Sequence, residues 1–145
     1  MREIKFRGKT VHHFDHGRWV YGGVSHNAIS WVIHEYRKDM LVNGEYVDPE
    51  TLCQYIGIHD VNGQQIYEGD VVTYSFPDDD YENEGIVWFN YKKCAFEIFV
   101  SIQIGPKLLW TGISFECTST EVIGNIFDNP DLRDQYRSIW DEEDF

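Results

Sequence analysis

The chain has 145 residues with 12 Lys and Arg against 25 Asp and Glu, a formal net charge of −13. That length suits one domain, and 42% hydrophobic with 16% aromatic residues is too much for a disordered chain. The acid excess argues against broad nucleic-acid binding, because affinity for phosphate comes from counterions displaced by Lys and Arg.

The first segment, Arg2-Glu3-Ile4-Lys5-Phe6-Arg7-Gly8-Lys9, carries charges where a secretory signal needs an apolar run. No stretch approaches the roughly 20 apolar residues of a membrane span. The expectation is a cytoplasmic protein with no membrane partner. As a strand, the segment places Lys5, Arg7 and Lys9 on one face and Ile4 and Phe6 on the other. Two readings stand side by side: an edge strand protected by charge, or a contact for an acidic partner surface such as the acidic loop or tail of a neighbouring copy.

Further along, Val20-Tyr21, Ile29–Ile33, Val71–Phe76, Ile86–Tyr91, Phe96–Ile104 and Leu108–Phe115 are rich in β-branched and aromatic residues and read as strands. Turn signals separate them at Asp15-His16-Gly17, Asn43-Gly44, Val61-Asn62-Gly63 and Glu68-Gly69-Asp70, where Asn and Gly accept positive φ. In the last of these, Gly69 is expected at positive φ and Asp70 to bond nearby backbone. Strands of this length and spacing predict a small barrel or sandwich. Asp48-Pro49-Glu50 predicts a short helical turn near 48–55 that Gly57 would end. Asp128-Asn129-Pro130 starts a helix near 130–140, with Leu132, Tyr136, Ile139 and Trp140 on one face. Its acidic end, Asp141 to Asp144, opposes the helix dipole and is expected to fray.

Candidate chemistry is sparse. His12, His13, His16, His26 and His34 cluster early, but a strand entering a turn makes those side chains diverge, so no metal site is assigned. Pro77 to Glu84 holds five carboxylates in eight residues; it lacks the ligand alternation and central glycine of an EF-hand and reads as a solvated loop. Cys53, Cys94 and Cys117 are widely spaced and fit reduced thiols. Cys94 follows Lys92-Lys93 and is read as the first residue of a strand after a turn, with a packing role rather than a catalytic one. No phosphate loop or dinucleotide fingerprint is present. The predicted catalytic, cofactor and metal sets are therefore empty.

Four ordered blocks resemble the YopX family of phage and prophage proteins. They are Arg2 to Arg7, Val47-Asp48-Pro49-Glu50-Thr51-Leu52-Cys53-Gln54-Tyr55-Ile56-Gly57-Ile58, Asp60 to Val72, and Glu121-Val122-Ile123-Gly124-Asn125-Ile126-Phe127-Asp128-Asn129-Pro130. The resemblance spans nearly the whole chain and departs in the histidine-rich segment after Thr10 and in the acidic loop. It implies a mainly β protein with an SH3-like barrel, encoded by a phage or prophage and self-associating. It carries over no catalytic residues.

The expectation is one domain, 1–145, with two lobes: an N-terminal β lobe at 1–57, and the barrel with the C-terminal helix at 58–145. It would be an accessory protein of the bacterial host cytoplasm, not an enzyme, acting by contacts with itself and with a host protein. Its homo-oligomer number is open, a trimer included. The alternative is a nucleic-acid-related module, in one of two senses. It would bind single strands through Lys5, Arg7, Lys9, Lys92 and Lys93, or its carboxylates would imitate DNA and inhibit a host enzyme.

Overall fold

A computed structural model describes residues 2–11, 17–37, 40–117 and 119–141. Strand makes up 57% and helix 11%, in two antiparallel sheets, so the fold is mainly β. The chain divides into two compact units, Met1–Gly57 and Ile58–Phe145.

The first unit holds β1 (Phe6–Lys9), β2 (Trp19–His26), β3 (Trp31–Arg37), β4 (Met40–Val47) and most of β5 (Cys53–His59), in the order β4-β3-β2-β1-β5. β1 is therefore not an edge strand. It pairs with β2 on one side, Arg7 opposite Tyr21, and with β5 on the other, Arg7 opposite Cys53. Ile4 precedes the strand and is 57% exposed rather than in the core. Thr10 closes the β1–β2 connection, accepting the Arg18 N–H on its hydroxyl and donating its own N–H to the Arg18 carbonyl.

Asn43-Gly44 is not a turn. Gly44 lies inside β4 opposite His34, and the register shifts beside it, which is a bulge. The glycine is needed for space: a Cβ there would meet Val32 Cγ1 at 2.6 Å. The helical turn expected at 48–55 shrinks to a 3-10 turn, Pro49–Thr51, with Asp48 accepting the Glu50 N–H at 3.0 Å. Cys53 already begins β5, because backbone pairing with β1 offers residues 53–54 more than continued helix does.

The second unit contains β6 (Gln65–Tyr67), β7 (Asp70–Ser75), β8 (Asn83–Asn90), β9 (Ala95–Ile104), β10 (Lys107–Ile113), β11 (Ser119–Asn125), α1 (Pro130–Tyr136) and α2 (Ser138–Asp141). Five of these strands form a sheet ordered β10-β9-β8-β7-β11. The expected SH3-like barrel is not found. The terminal strands β10 and β11 do not pair, and in the first unit a single bridge, Thr10 to Val47, joins the ends of β1 and β4 without a closing ladder.

The second sheet has no need to close, because helices cover its apolar face. Val71, Ile86 and Phe99 from the sheet pack with Ile126, Tyr136 and Ile139, and all six are nearly inaccessible. Each such side chain contributes about 1.5–3 kcal/mol of burial. The Tyr136 hydroxyl donates to Glu84 Oε1 at 2.7 Å and Trp110 Nε1 donates to Ser138 at 3.2 Å, which pins the helices to β8 and β10. Asn129 stands at the helix N-cap position, but its Oδ1 accepts the Asn125 N–H instead of capping. The Trp140 side chain and the acidic residues 142–144 lie outside the described residues.

Two turns form as expected. Gly69 adopts φ +87°, and Asp70 Oδ2 accepts the Tyr67 N–H at 2.8 Å. In the turn after β5, Asp60 Oδ1 accepts the N–H groups of Asn62 and Gln64, both at 2.9 Å, while Oδ2 accepts that of Val122 at 3.0 Å. One carboxylate thereby shapes a turn and ties it to β11.

Candidate functional site

The three cations singled out in the first strand form a built surface. Lys5 just before β1 and Arg7 and Lys9 on it alternate to one face, and the β2 residues opposite Arg7 and Lys9 are Tyr21 and Trp19. Lys5 Nζ sits 5.8 Å from the centre of the Tyr21 ring, Arg7 Cζ 4.5 Å and Lys9 Nζ 5.3 Å from that of Trp19. Cations and rings thus interleave along the sheet, each contact worth about 0.5–1 kcal/mol or more where desolvated. Arg7 is only 5% exposed, so it belongs to the interior of this ladder; Lys5 and Lys9 are half-buried, and Tyr21 is 44% exposed. Tyr55, also on the ladder's face, has its phenol pushed up from the usual range by burial and then by the charge of Glu3.

Trp19 and Tyr21 are the residues that sequence reading missed as partners of the cations. The signal was available: both lie at the same two-residue alternation, and only the β1–β2 register was lacking.

Of the early histidines, His12, His13 and His16 lie outside the described residues. His26 stacks on Trp31 at 4.2 Å, and His34 Nε2 is 2.8 Å from Ser25 Oγ, so the two have separate neighbours. Among the described residues no group of three or more His, Cys, Asp or Glu is arranged to hold a metal. A cleft of about 280 Å³ opens between Val11, Ile29, Trp31, Tyr46, Val47 and Pro49, with Ile29 92% exposed at its rim.

In the second unit the carboxylates separate into two populations. Asp60, Asp70 and Glu97 are buried and spoken for by local donors. Burial opposes ionisation of Asp60, but the N–H groups of Val122, Gln64 and Asn62, aided by His59, outweigh it and hold the carboxyl below its ordinary value. Glu97 accepts from Asn90 Nδ2 at 2.7 Å and Lys93 Nζ at 3.2 Å. In the acidic loop, by contrast, Asp78, Asp80 and Glu82 are exposed. Cys94 is a turn residue at φ 53° rather than the start of β9; it is exposed, Cys53 is buried, and both are free thiols. The Cys117 side chain lies outside the described residues.

The other conspicuous surface is the β9–β10 hairpin. β8 pairs with β9 only as far as Ile86 opposite Phe99, whereas β9 and β10 stay paired out to Ile104 opposite Lys107. The residues beyond Val100 thus form a two-stranded ribbon, turned at Gly105-Pro106. Ile102 and Leu109 face each other on one side with Ile104, and Leu108 lies on the other; they are 43%, 45%, 58% and 45% exposed in that order. No composition-level feature reveals this exposure. The charge pattern does hint at it: from Ile98 to Phe115 the only charged residue is Lys107.

No helix among the described residues is long and apolar enough to cross a membrane. No curated protein matches the chain. A family model, YopX protein, matches residues 5–133, most of the chain, and takes in the β1 cations, the acidic loop and the β9–β10 hairpin. The chain belongs to the YopX protein family.

Proposed function

We propose that this is a phage-type accessory protein of the bacterial cytoplasm that works by protein–protein contact, first of all with a second copy of itself, and not as an enzyme. The observation that carries the reading is the β9–β10 ribbon. A two-stranded ribbon is marginal in water by itself, and four exposed aliphatic side chains beside the open backbone edge of β10 form a template for pairing. The occupant follows from charge. A chain of net −13 repels its copies almost everywhere, and the run from Ile98 to Phe115, with its single Lys107, is where two copies approach without that repulsion. Lys107 and Pro106 at the tip limit further growth of the sheet.

Sedimentation of the full chain tests this. Concentration-dependent association that the pair Ile104→Lys and Leu109→Lys abolishes is the expected result. A wild-type chain that stays monomeric at every concentration, or association untouched by the pair, defeats the reading.

The nucleic-acid alternative draws on the cationic–aromatic ladder. With Arg7 inside it, phosphate contact on the ladder falls to Lys5 and Lys9, Lys92 and Lys93 are exposed in the other unit, and so few contacts release few counterions. Labelled single-stranded oligonucleotide bound at low salt and lost on adding salt would favour it. The mimic sense rests on exposed Asp78, Asp80 and Glu82 and calls for inhibition of a nuclease without DNA binding.

A further inference from the structure

We propose that the tip of the β9–β10 ribbon, Ile104 to Lys107, docks in the cleft between Ile29, Trp31, Tyr46 and Pro49 of a second copy; this rests on the self-association reading above and supplies the surface that the ribbon meets. Size limits the occupant. At about 280 Å³ the cleft falls just under the ~300 Å³ where sites for drug-sized ligands begin, which leaves room for a turn with a side chain or two. Its walls are set in advance. The His26 ring stacks on Trp31 with centres 4.2 Å apart, and Asn27 Oδ1 accepts the N–H groups of Ile29 and Ser30, both at 3.0 Å, holding the turn that presents Ile29. Ile29 is the most exposed large hydrophobic side chain among the described residues, and a partner seated in the cleft would cover it.

Charge selects the ribbon tip as that partner. Asp48 lines the cleft and Glu50 is exposed beside it; one Asp48 oxygen accepts the Glu50 N–H, and among the described residues no cation pairs with either carboxylate. Lys107, exposed and equally without a carboxylate partner among them, is the complement. The other exposed aromatic tips fit less well, because Tyr81 stands between Asp80 and Glu82 and would bring carboxylates to carboxylates, while Tyr91 already rests edge-on against Phe89. Beside Lys107, Pro106 offers a rigid apolar ring to Trp31 and Tyr46, the packing by which aromatic-lined grooves take proline. Docking costs the tip little ordering, since Gly105 already turns at φ +59° and its carbonyl accepts from Gln103 Nε2 at 2.7 Å. Ribbon and cleft are different surfaces, so the contact is heterologous.

Mixing two variants of the full chain tests this by sedimentation. Ile104→Lys with Leu109→Lys removes the ribbon, and Ile29→Lys with Asp48→Asn removes the cleft while the asparagine oxygen still takes the Glu50 N–H. Each variant alone, with circular dichroism matching wild type, should need about tenfold or more higher concentration to associate. Mixed, the two should form a heterodimer, the intact ribbon of one in the intact cleft of the other. A cleft variant that associates as wild type does, while the ribbon variant does not, leaves ribbon against ribbon and overturns this inference alone. Two folded variants that both lose association and stay apart when mixed overturn it as well. A wild-type chain that is monomeric at every concentration removes the self-association reading and this one with it.

Discussion

Glu97 on β9 occupies the space that Gly112 on β10 leaves empty. A Cβ added at position 112 would fall inside contact distance of Glu97 Oε1 and 2.8 Å from its Cδ. The missing side chain lets a 5% exposed carboxylate lie flat and accept from Asn90 and Lys93.

Gly112→Ala should therefore cost about 1–3 kcal/mol, the usual range for forcing extra volume into a packed site. Urea denaturation checks the magnitude. In a Glu97→Ala background the same substitution should cost much less, and an equal cost in both backgrounds would show that the two residues are not coupled.

Asp60→Ala should destabilise by about 2–4 kcal/mol, since it strands the N–H groups of Asn62, Gln64 and Val122. The carboxyl titrates below its ordinary 3.8 in the folded chain. Its stabilisation is complete above that value and disappears as pH falls through the lower folded one. The denaturation midpoints of wild type and variant should draw together as pH falls through that lowered value. A gap that stays constant with pH would contradict the assignment.

Glu68 works in the opposite direction. Desolvation raises its carboxyl from 4.5 to about 7. Between those values the folded chain keeps a proton that the unfolded chain has released, so stability falls as pH rises through the window and levels off above it. Glu68→Gln should flatten this dependence and stabilise the protein at pH 8 while changing little at pH 4. Thermal melts of both chains across the window decide it.

Cys94 holds φ at 53°, where a residue with a Cβ is strained. Cys94→Gly should raise stability by about 1 kcal/mol or less, read as a higher melting temperature, and Cys94→Val should lower it. A destabilised glycine variant would mean that the thiol, which reaches the Tyr91 carbonyl at 3.6 Å, does more than fill the turn.

The same residues show why some expectations held and others did not. Gly69 and Asp70 act within four residues of chain, and the helix after Pro130 depends on that proline in its first turn and on its own apolar face, so both were readable. Asn43-Gly44 misled because a glycine required for close approach to Val32 looks, in sequence, like a glycine required for a turn. The cations of β1 were legible as a stripe; the rings beneath them belong to a different strand and needed the register. The exposed aliphatics of the ribbon look like any buried strand until one knows that β8 stops pairing at Phe99.

The one helix expected near 130–140 is two, Pro130–Tyr136 and Ser138–Asp141. By itself the sequence determined the β-rich character, the positive-φ turns at Gly63 and Gly69, the helical start at Pro130 and the family. These follow from backbone preferences and side-chain alternation that act over a few residues. Tertiary structure alone decided that the sheets stay open, that β1 is central and that the ribbon projects. Those outcomes depend on which element covers which apolar face, and with Tyr136 and Ile139 already covering the core of the second sheet, closure of that sheet had nothing left to bury.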